Sequence, residues 1–298
     1  MIYLISFFVS LIFTFLLWKI GEKYKIQDEA NEDPLKIHTK SVSCLGGLAM
    51  FLSLGIMSFL NCGMLSIMAA GLFIFLLGFV DDLRWRDKHQ VKKIYKFAYL
   101  VIFSAISAKI LLMSGIGINL IPIFGITELL TFASIFILMN AVNYQDGMDG
   151  LAGGIVIISL IGFTILGNTF LAPILIVIIL GFLVFNFPPA KIFMGDSGAY
   201  FLGFILAVLS MIYLKPYNFV GAIGVAFILG LPLFDGVYTN IRRLLKGKSI
   251  FAGDREHFFD RLLEKGYSIK KVLLICYSIQ VIFVIIGLLI YSYANTIV

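Results

Sequence analysis

Residues Leu120 to Gly154 read LIPIFGITELLTFASIFILMNAVNYQDGMDGLAGG, an apolar window up to Met139 followed by an island dense in Asn, Asp and Gly. A window of about 20 apolar residues is what a helix needs to cross roughly 30 Å of hydrocarbon. The island cannot follow it into lipid cheaply, since an ionised side chain at the centre of a span costs about 2.5–3.5 kcal/mol on insertion scales. The chain therefore leaves the membrane near Asn140.

The same alternation runs along the whole sequence. Further apolar windows lie near Ile2–Ile20, Cys44–Leu60, Met64–Val80 and Ile94–Leu112, then Leu151–Leu166, Leu171–Phe187, Ala199–Leu214, Phe219–Phe234 and Val272–Tyr291. Of 298 residues 60 % are apolar and only 13 % charged, which excludes an ordinary water-soluble domain. The sequence predicts an all-α polytopic membrane bundle of about ten transmembrane helices. No Ser/Gly-rich linker, low-complexity tract or repeat divides residues 1–298, so a single integral membrane domain is expected.

Lys and Arg set the orientation, because basic residues in short loops stay on the cytoplasmic side. With both termini outside, all of the 23 Lys and Arg except Lys109 and Lys215 fall inside or at an inner helix end. The N-terminus is apolar at once and carries Lys19, Lys23 and Lys25 after the window, the pattern of a retained span rather than a secretory signal. Cys44, Cys62 and Cys276 have no CxxC spacing, so neither a disulfide framework nor a zinc site is expected. The net charge of +6 is spread over several flanking loops, which suits anionic headgroups and cytosolic phosphates rather than nucleic acid.

In this topology every Asp and Glu except Glu128 lies at the cytoplasmic face. Asp81 and Asp82 end the third window, followed by Arg84, Arg86 and Lys88. Asn140, Asn143, Asp146 and Asp149 recur every third residue among Gly147, Gly150, Gly153 and Gly154, so a helix end running into a glycine-rich turn is expected there. Capping and turn chemistry accounts for one or two of these side chains; four within ten residues point to a polar, metal-bound substrate. Asn186-Phe-Pro-Pro-Ala ends the seventh window, and Asp196 follows between Gly195 and Gly198 as either a helix cap or a magnesium ligand. Asp254-Arg255-Glu256-His257 groups titratable and cationic side chains in the segment Asp235 to Lys271. Lys36, His38 and Lys40 precede Leu45-Gly46-Gly47 at the second window, cations suited to a lipid phosphate. Pro232 is expected to bend the ninth span.

These blocks resemble the polyprenyl-phosphate N-acetylhexosamine-1-phosphate transferases. The DD pair is Asp81-Asp82, the NxxNxxDGxDGLA block runs from Asn140 to Ala152, the N-x-PA-x-x-FMGD-x-G type block from Asn186 to Gly198, and the DRxH-type motif from Asp254 to His257, in the family's order. Two departures stand out. Phe259 and Asp260 replace further histidines of the late loop, and Ser41 and Ser43 replace prolines near His38. The first favours a branch using a simpler nucleotide sugar over the muramoyl-pentapeptide branch.

The resemblance implies transfer of a sugar 1-phosphate from a UDP-sugar to a membrane polyprenyl phosphate with release of UMP. Mg²⁺, with Mn²⁺ as an alternative, would bridge diphosphate oxygens. Asp196 is then the expected metal ligand, assisted by Asp149 or Asp82, and Asp81 orients or deprotonates the lipid phosphate. Asn140, Asn143 and Asp146 would contact the nucleotide-sugar, His257 and Arg255 the diphosphate, and His38 and Lys40 the lipid phosphate. The implied enzyme sits in the cell membrane with its site facing the cytoplasm, and a homodimer is compatible with it. A cation or solute transporter is the alternative from another class, but transporters place charges near the bilayer midplane at broken helices.

Overall fold

The computed structural model describes the chain except residues 29–40, 62, 86–92, 122, 124, 168, 248–254 and 298. Helix α1 (Ile2–Tyr24) leads into a two-stranded antiparallel ribbon, β1 (Gln27–Asp28) with β2 (Val42–Ser43). Then follow α2 (Gly46–Ser58), α3 (Gly63–Val80), a π-helical turn (Asp81–Trp85), α4 (Lys93–Met113), α5 (Ile126–Gln145), α6 (Leu151–Leu166) and α7 (Leu171–Asn186). The chain ends with α8 (Gly195–Tyr213), α9 (Phe219–Leu245), the short α10 (Phe258–Glu264) and α11 (Ile269–Ile297).

Among the described residues seven helices are long and apolar enough to cross a membrane, and α2, α6 and α7 are shorter apolar helices that coincide with three of the expected windows. The all-α polytopic bundle is thus observed. Helix α8 is its axis: 83 % of its apolar stretch is buried, against 28 % for α1, α4 and α11. It packs on α2, α3, α5 and α6, whereas α9 and α11 run against each other and α1 lies on α7. Without a hydrophobic gradient between protein and lipid, close packing and internal hydrogen bonds hold such helices together. Ser10 in α1 follows that logic by donating to the Ile178 carbonyl of α7 at 2.6 Å.

Two departures from the expected helix limits position the functional groups. The ninth span does not end at Phe234 but continues as helix to Leu245, so Asp235 to Leu245 is ordered structure rather than loop. Its bend falls at Gly230 (φ 57°, ψ −132°), two residues before Pro232. Proline removes one helical donor, and Gly230 supplies the left-handed φ that turns the chain. The backbone groups freed at the break are taken up by Gln280 of α11, which is fully buried. Its Oε1 accepts the Leu231 N–H at 2.7 Å, and its Nε2 donates to the Ile228 carbonyl at 3.1 Å and to Ser159 Oγ at 2.9 Å. In lipid a broken helix persists only where such partners exist.

Candidate active site

The ends of α3 and α5, the starts of α4 and α8 and the lower half of α9 come together at one end of the bundle. Asp81 and Asp82 lie in the π-helical turn, a geometry that recurs at functional sites. Asp82 commits both carboxylate oxygens to the first turn of α8, accepting the backbone N–H of Asp196 at 2.8 Å and of Ser197 at 3.0 Å. Four N–H groups at a helix start have no intrahelical partner and carry partial positive charge, so a carboxylate there is stabilising. Gly195 (φ 69°) lets the two segments meet, since a Cβ on it would stand 2.6 Å from Asp82 Oδ2. The DD pair therefore divides its labour, with Asp82 building the helix start that carries Asp196.

Asp81 faces Lys96 of α4, and Lys96 Nζ also reaches Asp196 Oδ2 at 3.1 Å. The other Asp196 oxygen accepts Asn143 Nδ2 at 2.7 Å. Asp196 is thus held between an amide and an ammonium from two different helices.

The two Asn/Asp/Gly islands are locked to each other. Asn186, at the end of α7, accepts the Gly150 N–H at 3.0 Å and donates to the Ile192 carbonyl at 2.9 Å. Asp149 Oδ2 accepts the Ala190 N–H at 2.9 Å, and Tyr277 of α11 donates to the Gly150 carbonyl at 2.7 Å. Phe193 in turn donates its N–H to the Ser43 carbonyl at 2.7 Å and accepts the Gly46 N–H at 3.0 Å, tying the entry of α2 to the same place. Asp146 stands in the turn after α5. Burial pushes its carboxyl well above the usual range, and the charges of Asp196, Asp82 and Asp149 push it further. Asn140 turns its amide back on the Phe136 carbonyl at 2.7 Å, one turn up its own helix.

Beside this cluster, His257 precedes α10 with Nδ1 2.9 Å from Asp235 Oδ2 and 3.3 Å from Thr239 Oγ1, both on α9. Its backbone N–H meets Asp260 Oδ2 at 3.2 Å. Burial raises the Asp260 carboxyl, opposed by the neighbouring His257 and Arg255. Tyr144 lies between the imidazole, 5.2 Å away, and the Arg243 guanidinium, also at 5.2 Å. Arg255 has buried Nε and Nη2 atoms with no hydrogen-bond partner among the described residues. Orphaned guanidinium nitrogens of this kind suit an anionic ligand.

A family model described as glycosyl transferase family 4 matches residues 64–214, which holds the DD pair, Lys96, both Asn/Asp/Gly islands and Asp196. The chain belongs to glycosyltransferase family 4. Among curated proteins, this family 4 chain is 31 % identical to one from Bacillus subtilis named "Probable undecaprenyl-phosphate N-acetylglucosaminyl 1-phosphate transferase", over 97 % of the chain and 85 % of that protein. It is 33 % identical to an undecaprenyl-phosphate alpha-N-acetylglucosaminyl 1-phosphate transferase of Thermotoga maritima, over 96 % and 87 %. Identity to a phospho-N-acetylmuramoyl-pentapeptide-transferase of Acetivibrio thermocellus is 26 %, over 96 % and 93 %.

Asp81, Asp82, Asn143 and Asp196 of the expected set meet directly through hydrogen bonds or ion pairs with one another or with Lys96, and Asp146 and Asp149 share their electrostatic field. His257 and Arg255 lie in the adjoining quarter, while His38 and Lys40 fall outside the described residues. Among the described residues no trio of His, Cys, Asp and Glu forms a complete metal site. Magnesium at phosphate sites keeps waters and substrate oxygens in its shell, so one or two carboxylates suffice, and Asp196, with Asp81 across Lys96 and Asp82, Asp146 and Asp149 in the same acidic cluster, fits it. Lys96 and Asp235 were missed. The signal for Lys96 was a lone cation two residues inside an apolar window; Asp235 looked like the start of a loop because the helix was expected to stop at Phe234.

Phe259 explains one departure from the family pattern. It is buried with Met148, Leu151 and Leu273, where it packs α10 against the turn after α5 and against α11. At this position, where the family resemblance leads one to expect a histidine, the chain has a packing residue.

Proposed function

We propose that the protein transfers N-acetylhexosamine 1-phosphate, by default N-acetylglucosamine 1-phosphate, from a UDP-sugar to a membrane polyprenyl phosphate and releases UMP. One observation carries the reading: at one end of the bundle Asp81 and Asp196 meet Lys96, Asp82 caps the helix start that carries Asp196, and Asp146 lies in the field of Asp196, Asp82 and Asp149. Two phosphorylated reactants repel each other, and such a cluster is useful only with a divalent cation between them. Asp196 and Asp149 would hold Mg²⁺, or Mn²⁺, whose charge when bound offsets that repulsion. The names of the relatives, most of them N-acetylglucosamine 1-phosphate transferases, support the sugar and the acceptor.

The protein's own groups then position the reactants, which supplies most of the rate in phosphoryl transfers. Asn143 and Asp146 contact the nucleotide-sugar, Arg255 and His257 grip its diphosphate, and Asp81 orients or deprotonates the lipid phosphate. Lys40 and His38, in the segment before β2, receive that phosphate. The polyprenyl tail takes the cavity of about 410 Å³ beside the α9 break, lined by Leu231, Phe234, Asp235, Tyr238, Phe258 and Arg261. Ten crossings with both termini outside put the site at the cytoplasmic face of the cell membrane, where UDP-sugars are made. The packing of Phe259 favours this branch over muramoyl-pentapeptide transfer. A transporter is disfavoured because the acidic cluster lies at an end of the bundle, away from the break at Gly230.

The test is purified protein in lipid with polyprenyl phosphate, Mg²⁺ and a panel of UDP-N-acetylhexosamines. UMP release with a matching lipid diphosphate-sugar by mass spectrometry is expected; folded protein inert towards every donor overturns the reading.

A further inference from the structure

Asp235 sits on the lower half of α9 with 6 % of its surface exposed. Its carboxylate is met by donors on both oxygens. Oδ1 accepts the backbone N–H of Phe258 at 3.1 Å, and Oδ2 accepts Gln145 Nε2 at 2.9 Å while lying 2.9 Å from His257 Nδ1. An ionised carboxyl can only accept, so the histidine nitrogen facing it must carry a proton. In the neutral ring the lone pair is then on Nε2, because the hydrogen bond made by one ring nitrogen sets the state of the other. The ring plane is fixed as well, since Phe259 stacks 5.9 Å away within 3° and Tyr144 lies 5.2 Å away. Tyr144 adjoins Asn143, whose amide holds Asp196, so the ring is one residue removed from the acidic cluster.

We propose that Asp235 is a positioning residue of the transfer reaction: it holds His257 as the Nδ1–H tautomer, which makes Nε2 the nitrogen presented to the diphosphate of the nucleotide-sugar. This rests on the transferase reading and extends it to a residue outside the family-like blocks. Without Asp235 the imidazole loses the acceptor that selects one tautomer, so the competent form becomes a fraction of the population and the rate falls with that fraction. The break in α9 serves the same end. A straight helix would carry Asp235 on a different path, and Gln280 holds the bend that sets it against His257.

The chain has three histidines, His38, His89 and His257, so ¹⁵N-histidine spectra are assignable with a His257→Gln control. In the wild type His257 is expected as the Nδ1–H tautomer; an Nε2–H tautomer overturns the proposal, and this measurement needs no activity and no variant at Asp235. Asp235→Asn is expected to lower kcat about 100-fold while KM for the UDP-sugar changes less than about threefold. Asp235→Glu should recover about tenfold of that loss. In the His257→Gln background Asp235→Asn should cost nothing further, because its effect passes through the ring. A second full loss there, or a near-normal kcat in folded Asp235→Asn, overturns the proposal. If the wild type releases no UMP, the transferase reading fails while the tautomer spectrum still judges the Asp235–His257 pair.

Discussion

Asp82 and Asp196 belong to different helices, yet the backbone N–H of Asp196 donates to Asp82 Oδ1 at 2.8 Å. The carboxylate that ends α3 is therefore the cap that starts α8. Replacing it with Ala leaves two half-buried N–H groups without their acceptor, at about 1–3 kcal/mol for each unpaired group. Asp82→Ala should lower the unfolding temperature in detergent and abolish turnover, because Asp196 loses its mooring. Wild-type stability in that variant would remove Asp82 from the capping role. Gly195→Ala should share the phenotype, since its Cβ would press on the same carboxylate.

Asp196 itself should behave differently. Its side chain is held by Lys96 and Asn143 rather than holding the fold, so Asp196→Asn is expected to unfold near the wild-type temperature while turnover falls by at least about 100-fold. Parallel thermal unfolding and UMP-release assays check the split.

Lys96→Met takes the ammonium away from Asp81 and Asp196 together. More of the neutralisation then falls on the metal, so the Mg²⁺ concentration for half-maximal activity should rise or activity be lost. A variant with an unchanged Mg²⁺ requirement and rate would show that Lys96 is dispensable to the cluster.

The pH dependence follows from Asp146. Burial first, then Asp196, Asp82 and Asp149, hold its carboxyl above the usual range, so the folded protein without metal binds a proton that the unfolded chain releases. Its contribution to stability is fully present below the unfolded value and is lost as pH rises through the folded one. Divalent cations favour the ionised form, so Mg²⁺ should bind more tightly from mildly acidic to mildly alkaline pH and expel protons as it does. Calorimetry in buffers of different ionisation enthalpy reads this directly; binding with no proton release would leave Asp146 out of the cation's field.

Gln280→Leu orphans the Leu231 N–H and removes a donor to the Ile228 carbonyl inside the bundle. Loss of about 1–3 kcal/mol per unpaired group is expected, with Gln280→Glu or Asn closer to the wild type than Leu. Unfolding temperature and protease sensitivity at the α9 bend are the measurements.

The sequence alone determined where the apolar helices lie, the crowding of acids and amides into a few islands, and the order of blocks that resembles the family. Apolar length and the cost of charge in lipid are local properties, so the positions of α5 and α6 and the polar turn between them could be read one window at a time. Only the tertiary structure decided which acids touch. Asp82 caps a helix more than a hundred residues away, Lys96 joins the acids from an apolar window, and Asp235 reaches His257 because Gly230 and Gln280 bend α9. Hydrogen-bond partners far apart in sequence leave no periodic trace. They are chosen by helix packing, which brings the ends of α3 and α5 and the start of α8 to one edge of the bundle and lets one carboxylate build structure while its neighbour is left for chemistry.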